Sequence, residues 1–121
     1  MTDFSKRSTS EVLDDHLQCR MAGKIEEDLE RNYAPDVGVM TPKGVKKGHD
    51  AVRTFNKMLR EHVPHDYVFP IKSTDGRFAF IEWRAREPGR SVEDGADSFV
   101  IENGQIVFQS IHYSLQETMP G

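Results

Sequence analysis

With 121 residues, 36% of them apolar and 30% charged, the chain is sized for one domain that buries roughly two-thirds of its unfolded surface. Sixteen basic residues against twenty acidic ones leave a formal net charge of −4, which offers no basic footprint for nucleic acid. The single Cys19 excludes an internal disulfide, no apolar run reaches membrane-spanning length, and residues 1–10 lack the apolar core of a signal peptide. The chain is therefore expected to be a soluble cytoplasmic domain over residues 1–121, with loose tails at about 1–9 and 116–121.

In chain order, Ser8, Thr9 and Ser10 supply N-cap hydroxyls and Glu11 supplies negative charge to a first helical turn. Val12, Leu13, His16, Leu17, Arg20 and Met21 then recur at helical spacing. A second short helix, Lys24 to Asn32, buries Ile25 and Leu29 and shows an acidic face at Glu26, Glu27 and Glu30. Val37, Val39 and Thr41 alternate as a strand, Pro42-Lys43-Gly44 turns, and Val45 to Lys47 returns. Asp50 to His62 reads as a third helix with Val52, Phe55, Met58 and Leu59 on its buried side, stopped by Pro64. Lys43, Lys46, Lys47 and Arg53 form the only dense basic cluster, read as a solvated surface turn.

The remainder is strand and turn: a run through Tyr67, Phe69 and Ile71, a turn at Asp75-Gly76, Phe78 to Arg86, a turn at Pro88-Gly89, Val92 to Glu102, and Gln105 to Leu115. Helices first and strands afterwards predict an α+β fold, with a curved antiparallel sheet wrapped as a cone around three N-terminal helices. Asn103-Gly104 is the strongest hairpin signal, because a type I′ turn needs positive φ at both central residues.

That turn pairs Ile101 with Ile106, Phe99 with Phe108, Asp97 with Ser110 and Gly95 with His112. Asp97, Phe99, Phe108, Ser110 and His112 then share one face. The spacing makes Asp97 and His112 candidate acid–base residues. Glu82 joins them if Pro88-Gly89 is a plain two-residue turn, whereas a one-residue bulge turns Trp83 inward instead. Phe55, Met58, Tyr67 and Phe69 would complete an apolar wall that raises the Asp97 pKa by desolvation. His16, on an apolar helix face, reads as a core histidine or as part of that wall. No metal-ligand spacing, phosphate loop, Ser-His-Asp or Cys-His signature is present, so neither metal nor cofactor is expected.

The stretches YAPDVGVMTPKG (Tyr33 to Gly44), KGHDAVRTFNKML (Lys47 to Leu59) and DSFVIENGQI (Asp97 to Ile106) resemble the nuclear transport factor two-like superfamily. Within it they resemble the SnoaL-like, polyketide cyclase-related group, and the likeness covers nearly the whole chain. The resemblance implies a cystatin-like α+β barrel, a cone with an internal pocket, and an acid–base role for Asp97. It argues against ketosteroid isomerase chemistry, because Thr41 stands where those enzymes carry a carboxylate base and the first helix has no tyrosine. Two functions follow. One is a cofactor-independent enzyme that moves a proton on a small apolar carbonyl compound, with Asp97 as base and His112 as its partner. The other is a ligand-binding or assembly module with the same pocket and no turnover.

The opposite face of the hairpin carries Val100, Val107, Ile111, Tyr113 and Leu115, joined in the nominal register by Ala79, Ile81 and Trp83. So apolar an outer sheet face predicts a homodimer through it.

Overall fold

The computed structural model describes residues 4–117. A 3-10 turn at Phe4–Lys6 leads into α1 (Thr9–Ala22), and α2 (Ile25–Asn32) follows after a tight break. Ser8 caps α1 reciprocally: its hydroxyl accepts from the Glu11 amide at 3.1 Å, and the Glu11 carboxylate accepts from the Ser8 amide at 2.9 Å. Next come β1 (Tyr33–Thr41), β2 (Gly44–Lys47) and α3 (His49–His62). The chain ends in a meander of β3 (Tyr67–Asp75), β4 (Phe78–Glu87), β5 (Arg90–Glu102) and β6 (Gln105–His112), with a short β7 (Leu115–Glu117). Among the described residues no helix is long and apolar enough to cross a membrane.

The strands form one open sheet in the order β2-β1-β6-β5-β4-β3, and β7 pairs with the start of β5. Every pairing is antiparallel except β1 with β6, which is parallel. The expected all-antiparallel sheet is thus a mixed one. The helices lie on the concave face, and a single core cluster joins Val12, Leu13 and Leu17 of α1 to Leu29, Leu59, Ile81, Phe99 and Ile106.

The expected tails are shorter than the sequence suggested. Arg7 reaches from the lead-in to Asn32 Oδ1 at 2.9 Å, to the Arg31 carbonyl at 2.7 Å and to the Gly104 carbonyl at 2.8 Å. At the other end, Gln116 and Glu117 pair with Ser91 and Arg90. Residues 1–3 and 118–121 of those tails lie outside the described residues.

The Asn103-Gly104 turn forms as expected, with φ of 52° and 72°, and Ile101 faces Ile106. A bulge then intervenes: Val100 faces Phe108, Phe99 faces Gln109, Asp97 faces Ile111 and Ala96 faces His112. A second irregularity follows the Pro88-Gly89 turn, where Arg84 lies opposite both Glu93 and Asp94, so that Trp83 rather than Glu82 faces Gly95. Each one-residue slip exchanges the two faces of a strand beyond it.

The concave face therefore receives Ala79, Ile81, Trp83 and Ala85 from β4 and Gln109 and Ile111 from β6, all buried. Ala79, Ile81, Trp83 and Ile111 are core residues and not the outer patch expected of them. Tyr113 likewise packs inward, 5.7 Å from the Trp83 ring, and Leu115 packs against the core.

Candidate functional site

Asp97 is the floor of the cone. It sits mid-strand on β5, faces the helices and is 7% exposed. Both carboxylate oxygens are engaged by neutral donors. Trp83 Nε1 donates to Oδ1 at 3.0 Å and Gln109 Nε2 donates to Oδ2 at 3.0 Å. Because a carboxylate only accepts, it fixes the Gln109 amide with its nitrogen toward Asp97. The amide oxygen then accepts from the buried Tyr33 hydroxyl at the start of β1. Four residues from four strands thus form one network, running from Tyr33 through Gln109 to Asp97 on one side and from Trp83 to Asp97 on the other, with the carboxylate as the acceptor where both arms end.

Gly95 makes the Trp83 contact possible. A Cβ at that position would lie 2.3 Å from two indole carbons, so the ring rests directly on the strand backbone. A glycine inside a strand marks such close approaches.

The helices bring a second buried pair to the same place. His16 of α1 and Asp28 of α2 are 2% and 1% exposed, with His16 Nδ1 2.8 Å from Asp28 Oδ2. Asn32 Nδ2 donates to the other Asp28 oxygen at 2.8 Å. A carboxylate acceptor requires Nδ1 to carry its proton, which leaves Nε2 as the nitrogen without a partner among the described residues. Tyr33 and Phe99 hold the imidazole edge-on, with ring centroids 5.5 and 5.4 Å away.

His16, Arg20, Tyr67, Phe69, Trp83 and Asp97 surround a cavity of about 20 Å³, closed on one side by Ile111. That is room for one water-sized molecule. Burial pushes the Asp97 carboxyl above its ordinary value, against the opposing pull of the Trp83 hydrogen bond, the Arg20 charge and the Gln109 amide. Burial likewise drives the Tyr33 phenol well above the usual range, so it stays a donor.

Beyond Ile111 lies a larger cleft of about 670 Å³, between α3 and the β1–β2 hairpin. Its floor is Val39, Phe55, Met58, Ile111 and Tyr113, and its rim is polar. The volume falls within the usual range for small-molecule sites, about 300–1,000 Å³.

The residues expected from the sequence therefore divide. Asp97 and His16 meet at the small cavity, with Tyr67 and Phe69 in its wall and Phe99 packed against the imidazole. Phe55 and Met58 line the larger cleft instead. His112, Ser110, Phe108 and Glu82 lie on the convex side of the sheet, His112 and Glu82 exposed. The expected Asp97–His112 partnership is not formed, because the bulge after Ile106 moves the imidazole to the other face. Ile111 takes the place expected of Ser110 opposite Asp97.

Sequence reasoning missed Arg20, Asp28, Tyr33, Gln109 and Ile111 as site residues and left Trp83 open. Gly95 was the available signal for Trp83. Nothing in the spacing of His16 and Asp28 pointed to their pairing, which depends on the break between α1 and α2.

Residues 14–109 match the model of the SnoaL-like domain family. No functionally curated protein matches the chain. Among solved structures it is similar to an NTF2-like protein of unknown function from Burkholderia xenovorans LB400. The identity is 19% and the TM-score 0.71, over 93% of this chain and 88% of that one. A protein named as a candidate polyketide cyclase from Sinorhizobium meliloti is 20% identical at a TM-score of 0.68, over 84% and 94% of the two chains. A candidate ketosteroid isomerase from Kribbella flavida DSM 17836 is 16% identical at a TM-score of 0.74, over 93% and 83%. At these identities the likeness establishes the fold alone.

Proposed function

The chain belongs to the SnoaL-like domain family, and we propose that it is a cofactor-independent acid–base enzyme acting on a small, mostly apolar carbonyl compound. One observation carries this reading. The buried Asp97 and His16 and the half-buried Arg20 converge on a single cavity within the core. Buried ionisable groups cost stability unless they are compensated, and their convergence on one void is the pattern of a reaction site.

Asp97 serves as the base that takes a proton from the carbon beside the carbonyl. Desolvation raises its basicity, while the Trp83 and Gln109 donors keep its orientation fixed. Arg20, a permanent donor on the facing helix, stands ready for the developing oxyanion, while His16, its Nδ1 proton held by Asp28, offers the cavity an acceptor at Nε2. Substrate enters from the cleft over α3 and reaches Asp97 when the Ile111 side chain swings aside, since Ile111 lines both spaces. The candidate cyclase and isomerase among the structural relatives work in the same broad class of chemistry by name.

The test is hydrogen–deuterium exchange beside the carbonyl, followed by NMR in D₂O over a panel of small cyclic ketones. The wild type should accelerate exchange for at least one ketone, and Asp97→Asn should abolish that acceleration. If no ketone exchanges, the non-catalytic binding module becomes the better reading. One feature already favours that alternative: both Asp97 oxygens are occupied, and Ile111 separates them from the larger cleft.

We also propose that the convex sheet face pairs two copies of the chain. Apolar residues exposed there include Phe78 and Phe80, at 54% and 37%, which border a shallow hollow with Val100 and Phe108. A two-fold contact would cover them with a matching patch.

A further inference from the structure

Three of the four residues in the basic cluster, Lys43, Lys46 and Lys47, border the cleft over α3. Arg53, the fourth, is already spent: its guanidinium binds Glu26 at 2.8 Å and Asp50 at 2.7 Å. Among the described residues Asp50 is the one acidic residue on the rim of the cleft, and that ion pair occupies it. Among the described residues no ion pair involves Lys43, Lys46 or Lys47, although acids outnumber bases in the chain by twenty to sixteen. Positive charge left uncompensated at a pocket mouth, on a protein of net charge −4, does not follow from the overall charge balance.

Strand register gives the lysines a direction. Val39 is buried on the concave face and lines the cleft, and Lys46 is its cross-strand partner. Directly opposed residues of an antiparallel pair project to the same side. The Lys46 stem therefore rises beside Val39 and over the cleft floor, with its ammonium group at the rim. Lys43 stands at the turn of the same hairpin. Facing them is the first turn of α3, whose cap Gly48 has no side chain to occupy the free amides. The floor beneath is Phe55, Met58, Ile111 and Tyr113.

We propose that the cleft selects a small amphiphilic carboxylate, with the apolar body on the Phe55–Met58–Tyr113 floor and the carboxylate against Lys46 and Lys43. This deepens the reading of the chain as a small-molecule pocket protein by naming the class of molecule it admits. A rim of ammonium groups over an apolar floor recognises both halves of such a ligand, whereas a neutral ketone of the same shape engages only the floor. A carboxylate remote from the reacting carbonyl would also anchor the substrate at the rim while its carbonyl end reaches Ile111.

The experiment uses two near-isosteric probes, 1-naphthoate and 1-acetonaphthone, titrated into the full chain and followed through the Met58 and Ile111 methyl resonances. The carboxylate is expected to bind at least ten-fold more tightly than the ketone and to weaken with added salt. Lys46→Met keeps the apolar stem and removes the charge. Combined with Lys43→Gln, it should bring naphthoate down to the ketone's affinity and leave the ketone unchanged. Equal affinity of the two probes for the wild type would overturn the proposal. So would an equal loss of both probes in the double variant, or naphthoate binding that leaves the Met58 and Ile111 methyls unmoved. Asp97→Asn should leave naphthoate binding intact, so failure of proton transfer and failure of anion selection are read separately.

Discussion

Gly95→Ala tests how tightly the floor of the cone is built. The new Cβ would lie 2.3 Å from Trp83 Cδ2 and Cε2 and 2.7 Å from Nε1. Carbon atoms rest at about 3.5–4.0 Å, so the indole must retreat by over about 1 Å. It has little room to do so, because Tyr67 and Tyr113 pack against it with centroids 5.8 and 5.7 Å away. A shift of that size takes Nε1 out of hydrogen-bond range of Asp97 Oδ1, now at 3.0 Å. Overpacking costs about 1–3 kcal/mol, and a hydrogen bond to a charged group contributes about 1.5–3 kcal/mol. The expected loss is therefore about 2.5–6 kcal/mol, a large part of the roughly 5–15 kcal/mol that holds a domain folded.

Trp83 is the only tryptophan in the chain. Urea unfolding followed by its fluorescence therefore reads this site directly, and its single indole N–H resonance reports the bond to Asp97. In a Trp83→Phe background, followed by far-UV circular dichroism because no tryptophan remains, the hydrogen bond is already gone, so the same substitution should cost less by about 1.5–3 kcal/mol. A loss below about 1 kcal/mol with an unmoved indole resonance would refute the packing argument.

Three further outcomes follow from the same geometry. Asp97 holds its proton more tightly in the folded than in the unfolded chain, so its contribution to stability is full below the ordinary value of 3.8 and is lost as pH rises through the folded value. Asp97→Asn should therefore gain stability relative to wild type as pH rises from 4 toward neutrality, measured by urea midpoints across pH; a gap that narrows over that range would contradict it. Tyr33→Phe leaves the Gln109 amide oxygen without its donor and should cost about 1–3 kcal/mol, read by thermal unfolding, with no effect meaning that the phenol is not the donor. Phe80→Glu on the convex face should give a monomer by light scattering where the wild type is a dimer, and a monomeric wild type at micromolar concentration would end that proposal.

The elements themselves were plain in the sequence. The Ser8 cap, the apolar spacing of α1 and α3, and the Asn103-Gly104 turn each act over a few residues, and local chemistry decides them. The inward position of Asp97 followed from that turn and holds. What failed was everything beyond a bulge. Val107 on β6 and the Glu93-Asp94 step on β5 each add one residue to a ladder, and no turn signal marks them, because they answer to the curvature the sheet needs around the helices. Their cost to the reading was large: His112, Ser110, Phe108 and Glu82 left the site, and Gln109, Ile111 and Trp83 entered it. The parallel pairing of β1 with β6 and the His16–Asp28 pair were equally hidden, since both join segments whose contact depends on the whole fold.

The reach of Arg7 has a practical sequel. Its guanidinium holds Asn32, Asn32 holds Asp28, and Asp28 holds the His16 ring over the cavity. The same guanidinium also grips the Gly104 carbonyl at the tip of the hairpin that carries Asp97. Trimming the chain ahead of Ser8, an edit usually regarded as cosmetic, would therefore release one tether on each side of the cavity at once. A shortened protein that folds yet shows an altered histidine signal would be a site variant in all but name.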